Sequence, residues 1–122
     1  MNIVLLGDPR TKKNSMKPVF AGGRFRLVPS PAYTDYRRTA LMQITGRYRN
    51  QIAIPVNVKC VYYMGTKRKV DLLNLMSATL DILVDASVLL DDNSRIVVSH
   101  DGSRVDYDKE NPRVEIEITD AD

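Results

Sequence analysis

The chain has little cysteine: Cys60 is the only one among 122 residues. A single cysteine excludes a disulfide framework and a zinc site built from cysteine thiolates, so Cys60 is interpreted as a buried strand residue. The sequence also shows no secretion signal, no internal repeats and no apolar run long enough to span a membrane. We therefore expect one domain, residues 1–122, in a reducing cytoplasm.

Negative charge is scarce in the first part of the chain. Residues 1–50 contain ten lysines and arginines but only two carboxylates, Asp8 and Asp35, which gives a net charge of +8. Residues 51–122 carry a net charge of −5. This asymmetry suits a protein that binds a polyanion and uses carboxylates to act on it. A solvated surface with patchy charge would give the same pattern, so composition alone does not decide between the two.

The most informative stretch is residues 67–96. It opens with the cations Lys67, Arg68 and Lys69 and continues into a predicted helix over residues 71–86. One narrow face of that helix would carry Asp71, Asn74, Ala78, Asp81 and Asp85, and the rest is largely apolar. Such a stripe predicts a central helix whose polar edge opens into a cleft. Carboxylates provide the hard oxygen ligands that a catalytic metal needs, and cations bind phosphate, so the stretch indicates metal-dependent phosphodiester chemistry.

The remaining pattern predicts an α+β fold, a small mixed β-sheet with two helices packed on it. Strands are predicted at residues 3–6, 52–64, 95–99 and 114–118, a hairpin around Gly22-Gly23, a helix at 31–49, and extended or loop structure at 105–109. Residues 9–15 form a predicted basic loop that contains Lys12 and Lys13. This loop is interpreted equally well as a phosphate-binding segment or as a solvated turn.

The order of these elements resembles the RusA family of Holliday-junction resolvases. The resemblance is carried by Asp-x-x-Asn-Leu at Asp71, Asn74 and Leu75, by Asp81, and by the pair Asp91-Asp92 before a strand. The basic loop and the sequence at 111–113, Asn-Pro-Arg, also look like phage-borne members, and the resemblance covers nearly the whole chain. It implies a RusA-like homodimer that binds four-way junction DNA in recombination and repair. It further implies symmetric cutting of two strands with Mg²⁺, or alternatively Mn²⁺.

The resemblance also implies roles for particular residues. The catalytic and metal-binding residues would be Asp71, Asp91 and Asp92, with Asp92 as the metal-binding member of its pair. Asn74 and Asp81 would be supporting polar residues. The DNA-binding cations would be Lys12, Lys13, Lys67, Arg68 and Lys69. No membrane partner is implied, and the expected location is the cytoplasm of a bacterial host or a phage-infected cell.

Three positions depart from the family pattern. Leu73 stands where the family has a second aspartate, Ser77 stands where it usually has a lysine, and Ala86-Ser87 replaces a usual glycine. Two functions are therefore carried forward: an active Mg²⁺-dependent junction endonuclease with a variant site, and a catalytically impaired junction-binding homodimer that keeps the scaffold. The remaining aspartates favour the first, and Leu73 and Ser77 favour the second.

The direction of Leu73 separates two arrangements of the helix start. In a regular helix, positions 71 and 73 point roughly 200° apart. Both can reach one metal only if Asp71 sits at the mouth of the helix, in which case Leu73 faces the cleft. If the helix start is rotated instead, Leu73 points into the core.

Overall fold

The structure is a computed structural model that describes residues 1–12 and 16–121. The strands are β1 (Asn2–Leu6), β2 (Met16–Ala21), β3 (Arg24–Pro29), β4 (Val56–Met64), β5 (Val97–Ser99), β6 (Arg104–Tyr107) and β7 (Arg113–Asp120). The helices are α1 (Pro31–Gln43) and α2 (Leu72–Asp85), and a 3₁₀ turn spans Gly46–Tyr48. The predicted α+β class is confirmed. In the described ranges, no helix combines the length and apolar character that crossing a membrane requires.

Strand β4 organises the main sheet. It pairs antiparallel with β7, which in turn pairs antiparallel with β1. On its other side β4 pairs in parallel with β5 near its start and with β6 near its end, which gives a five-stranded mixed sheet. Strands β2 and β3 form a hairpin of their own.

The inner face of the main sheet includes buried apolar side chains from β4 and β7. Val58, Cys60 and Tyr62 are buried and lie opposite the buried apolar residues of β7, which are Ile118, Ile116 and Val114. Burial raises the pKa of the Cys60 thiol to about 11, as expected for an inert core cysteine. The two helices cover this face, and a buried hydrogen bond of 2.7 Å joins the Tyr62 hydroxyl to Thr79 on α2.

The first helix is shorter than predicted. It ends at Gln43 rather than at residue 49, because Ile44 adopts an extended conformation and caps it. The helical spacing of apolar residues continues in the sequence beyond the end of α1. The reason is that Tyr48, in the 3₁₀ turn, still packs against the core. Arg49 then donates hydrogen bonds to the carbonyls of Ile44 and Leu41. The Leu41 carbonyl also accepts from the Ile44 N–H at 3.3 Å, so these contacts join the segment after the helix to the helix end.

Other predicted boundaries also shift. Strand β4 begins at Val56 rather than at 52, because Pro55 lacks an N–H and Ile52 makes only an isolated bridge to Leu89. Strand β5 begins at residue 97 rather than 95, and strand β6, Arg104–Tyr107, overlaps the first part of the region 105–109 that was predicted as extended or loop. Helix α2 begins at Leu72, so Asp71 precedes the helix and caps it.

The end of α2 forms a Schellman motif. The Ser87 N–H bonds to the Val84 carbonyl, and the Val88 N–H bonds to the Leu83 carbonyl. Ser87 accordingly adopts a left-handed conformation with φ of 60°. Glycine is favoured in this conformation. Because this chain has Ala86-Ser87 where the family usually has a glycine, Ser87 carries backbone strain that a glycine would not have.

We predict that Ser87→Gly stabilises the protein by about 1 kcal/mol, because glycine adopts the left-handed conformation without steric cost. Urea unfolding at constant pH measures the change. The matched control is Ser77→Gly, since Ser77 is exposed within α2 and glycine there should destabilise by several tenths of a kcal/mol. Equal effects of the two substitutions would contradict the strain at Ser87.

Candidate active site and nucleic-acid interface

The mouth of α2 is fixed by Asp71. Its backbone is extended, with φ −92° and ψ 121°, and its Oδ1 accepts hydrogen bonds from the N–H groups of Leu73 (2.9 Å) and Asn74 (3.4 Å). Both bonds use one carboxylate oxygen. An oxygen acceptor at this position satisfies N–H groups that the helix start leaves free. Asp71 therefore occupies the position at the helix mouth that a shared site with residue 73 requires.

Leu73 lies on the surface. Its relative exposure is 72%, which excludes the arrangement in which a rotated helix start buries it in the core. Asn74 is half-buried beside it in the first turn of α2, and Ser77 is exposed one turn further on. The two departures near the start of α2, Leu73 and Ser77, are thus open to solvent, whereas Ala86 is buried.

A cleft of about 1140 Å³ runs between α1, the second half of α2 and the loop that follows α2. Four carboxylates line it: Asp81, Asp85, Asp91 and Asp92. Four cations line it as well: Lys12, Arg37, Arg38 and Arg49. Acidic and basic groups therefore meet in one groove, as the charge pattern of the sequence predicts for chemistry on a polyanion.

The carboxylate of Asp81 is influenced by its surroundings in this cleft. The pKa of Asp81 is raised mainly because the side chain is partly buried, and next because Asp92 is close; Lys12 lowers it. The ionised form of Asp81 is thus destabilised by its surroundings, and a cation bound beside it would relieve this cost.

Asp91 plays a different part from Asp92. Its Oδ1 accepts from the Asp92 N–H at 2.8 Å and its Oδ2 from the Asn93 amide at 3.0 Å, and these bonds lower the pKa of Asp91. Asp91 therefore shapes the turn, and both Asp91 and Asp92 are exposed and line the cleft. That Asp92 is the metal-binding member of the pair stays a prediction.

The structure does not bring all the proposed ligands into one cluster. Within residues 1–12 and 16–121, no three Asp, Glu, His or Cys side chains form a group that could hold a metal ion. Asp71 lies outside the lining of the cleft, and ten helical positions separate it from Asp81, or about 15 Å along the helix axis. The oxygen donors nevertheless fit Mg²⁺, which keeps several waters and uses one or two protein carboxylates together with substrate phosphate.

The basic cluster before α2 divides into structural and free cations. Arg68 donates to Asp8 at 2.6 Å and to the Pro9 carbonyl at 2.5 Å, so its charge is already paired. Lys67 and Lys69 are exposed, with the Lys67 ammonium 5.1 Å from the centre of the Tyr107 ring. Arg68 thus has structural partners in this arrangement, and its role as a DNA-binding residue stays a prediction.

The basic loop also contributes to the cleft. Thr11 is buried, and the adjacent Lys12 is exposed and lines the cleft. Lys13 lies outside the described residues.

Sequence reasoning missed the arginines of α1 as site residues. Arg37 bonds to Asp85 of α2 at 2.5 Å, and Arg38 lies one position further along the same cleft. Their place on the polar face of α1 was visible in the helical spacing. Nothing in the sequence shows that this face is turned towards the acidic stripe of α2.

Comparison with known proteins identifies a family. The family model described as Endodeoxyribonuclease RusA matches residues 7–119, which includes both helices and the whole cleft lining. No curated protein matches the chain.

The different surroundings of Arg68 and its neighbours lead to a prediction about DNA affinity. Lys67→Ala combined with Lys69→Ala should weaken DNA binding equally for all sequences and flatten its salt dependence, because phosphate contacts carry no sequence information. The melting temperature should not change, since both side chains are exposed. Fluorescence anisotropy across a salt titration measures the effect.

Arg68→Ala is the matched comparison. It should destabilise the fold by about 2 kcal/mol, because it removes the partner 2.6 Å from the Asp8 carboxylate and leaves only the longer pair with Arg10 at 3.5 Å. A variant at Arg68 that melts like the parent and binds DNA more weakly would instead support Arg68 as a DNA-binding residue.

Proposed function

We propose that this chain, which belongs to the RusA endodeoxyribonuclease family, is a Mg²⁺-dependent homodimeric nuclease that cuts four-way DNA junctions. Membership of the family implies Holliday-junction endonuclease activity. The observation that carries the proposal for this chain is the cleft in which Asp81 and Asp92 lie with Lys12, Arg37 and Arg38. The two charge types that phosphodiester hydrolysis needs occur there side by side.

The proposed metal ligand in the cleft is Asp92, with Asp81 as a supporting oxygen donor and Asp91 as the residue that holds the turn. Asp71, which the family resemblance also implies as a ligand, lies about 15 Å from Asp81 along the helix axis, so these two carboxylates would not share one ion in this arrangement. When bound, Mg²⁺, or Mn²⁺ in its place, supplies positive charge at the scissile phosphate and lowers the pKa of a water molecule. A fit with fewer protein ligands is compatible with the ordinary coordination of Mg²⁺, which is completed by water and phosphate.

The cations of the chain bind and orient the DNA. Lys67 and Lys69, exposed at the start of α2, would contact backbone phosphates. Lys12 and Arg38 in the cleft are the candidates to stabilise charge that develops on the scissile phosphate, the role in which the family uses the lysine that Ser77 replaces. Arg37 would be available to phosphate only if it leaves Asp85.

The homodimer is proposed from the reaction itself. Resolving a junction requires cuts in two strands at symmetric positions, and one chain offers a single cleft of this kind among its described residues. A twofold-symmetric pair would present two such clefts to the twofold-symmetric junction.

The second candidate is a catalytically impaired homodimer that binds junctions without cutting them. It is favoured by the exposed Leu73, which stands where the family has a carboxylate, and by the lack of a three-ligand cluster in the described ranges.

Incubation with a synthetic four-way junction, with and without Mg²⁺ or Mn²⁺, distinguishes the two functions. Paired nicks that need the metal support the nuclease. Binding without nicks in either metal supports the impaired binder. A chain that neither binds nor cuts the junction contradicts both.

We predict that Asp92→Asn abolishes cleavage and leaves junction binding equal or tighter. The substitution keeps the shape of the side chain but removes the charge that holds the metal and repels phosphate. Asp85→Asn is the control, because that exposed carboxylate is paired with Arg37 and its loss should change cleavage little. Cleavage at the parental rate by Asp92→Asn would refute the metal assignment.

We predict that Leu73→Asp raises cleavage and strengthens Mg²⁺ binding with little change in stability. Leu73 is exposed, so a carboxylate there needs no burial, and the N-terminus of α2 favours negative charge. The measurements are junction cleavage and a thermal melt with and without Mg²⁺. The control is Leu73→Asn, which has the same shape and no charge. Equal Mg²⁺ shifts in the two variants would show that position 73 does not contribute to the metal site.

A further inference from the structure

The β2–β3 hairpin, residues 16–29, is an arm outside the main sheet. Its strands pair with each other across Gly22 and Gly23, which have φ of 60° and 74° and form a tight turn. Among the described side chains, none from positions 18–28 belongs to the hydrophobic core. A two-stranded hairpin alone is marginally stable in water, which suggests that the arm is completed by a partner.

The two faces of the arm differ in chemistry. Phe20 lies directly opposite Phe25, and Pro18 lies opposite Leu27, so these four side chains share one face. Both phenylalanine rings are exposed, Phe20 by 75% and Phe25 by 67%. The cross-strand register places Arg24 and Arg26 on the opposite face, where both are also exposed.

Charge decides which partner suits the arm. The arm contains three cations, Lys17, Arg24 and Arg26, and no carboxylate. Two such arms would repel each other, so the arm of a second copy is a poor partner. A polyanion matches the charge, and the exposed ring pair matches the flat faces of nucleic-acid bases. Bases are hidden inside a continuous duplex but become accessible where strands branch.

We propose that Phe20 and Phe25 stack on bases that are unstacked at the branch point of junction DNA, while Arg24 and Arg26 contact the adjacent phosphates. The inference rests on the proposed function and adds a structure-selecting element to it. Base–aromatic stacking is tolerant of sequence. The arm would therefore select branched DNA over duplex without reading a particular base.

The first experiment compares junction and duplex of the same sequence. Phe20→Ala with Phe25→Ala should weaken junction binding by about tenfold or more per ring and leave duplex binding nearly unchanged. Phe20→Tyr with Phe25→Tyr should retain junction binding, because it keeps the aromatic faces. Thermal melts of both variants should match the parent, since the rings lie outside the core.

The second experiment uses the lack of tryptophan in the chain. Phe25→Trp introduces a single tryptophan. Its emission should be quenched when junction DNA is added, and much less when duplex DNA is added. Val4→Trp is the control, because Val4 is 48% exposed on β1 opposite Glu115, in surroundings that do not favour DNA. Its emission should stay the same.

The outcomes separate the arm from the nuclease proposal. Parental junction affinity in the double alanine variant, or equal quenching at positions 25 and 4, overturns the role of the arm and leaves the nuclease proposal intact. Dissociation of a dimer by the alanine substitutions, seen by sedimentation without DNA, would assign the arm to a second copy instead and also overturn the inference. Failure of the unaltered chain to bind junctions overturns both proposals together.

Discussion

The ion pair between Asp8 and Arg68 connects the two parts of the chain that carry the candidate site. Asp8 follows β1 and leads to Lys12, and Arg68 follows β4 and leads to Asp71. The same carboxylate accepts the Gly65 N–H at 2.8 Å. A Cβ at Gly65 would lie 3.3 Å from both Asp8 and Pro112, so the approach depends on glycine at this position. Because one carboxylate fixes both segments, the placement of Lys12 relative to the acidic edge of α2 depends on this contact.

The cleft contains pairs of opposite charges, and binding of a charged ligand would have to separate them. Arg37 is paired with Asp85, and Lys12 lowers the pKa of Asp81 while burial and Asp92 raise it. A phosphate that entered alone would draw the cations away and leave the carboxylates uncompensated. A divalent cation that entered alone would leave the arginines and lysine without partners. Binding of one ligand therefore lowers the cost of binding the other, and DNA and metal affinities are expected to be coupled through these shared charges.

The local pattern of apolar and turn residues was enough to predict the α+β class, the burial of Cys60 in a strand, and the Gly22-Gly23 hairpin. It could not place the helix ends, because these depend on caps such as Ile44 and Asp71. It could not separate Arg68 from Lys67 either, since the partner that pairs with Arg68 lies 60 residues earlier in the chain. The closeness of Asp81 and Asp92 also escapes a helical wheel. It arises where the chain turns back after α2 through Ser87, which has a left-handed conformation. A serine in the sequence does not predict that conformation.

Leu73 is a position at which a substitution can change the candidate site without changing the stability of the fold. Its side chain is 72% exposed, so it adds little to the core, and the fold would accept aspartate at this position equally well. Stability therefore does not account for leucine. The difference between the two residues acts on ligands: a leucine removes one negative charge from the mouth of α2, beside Asp71 and the exposed Lys69. With fewer carboxylates the site loses metal affinity, but it also repels a phosphate backbone less. Under the proposed nuclease function, position 73 would therefore shift the balance between metal binding and DNA binding without changing the fold.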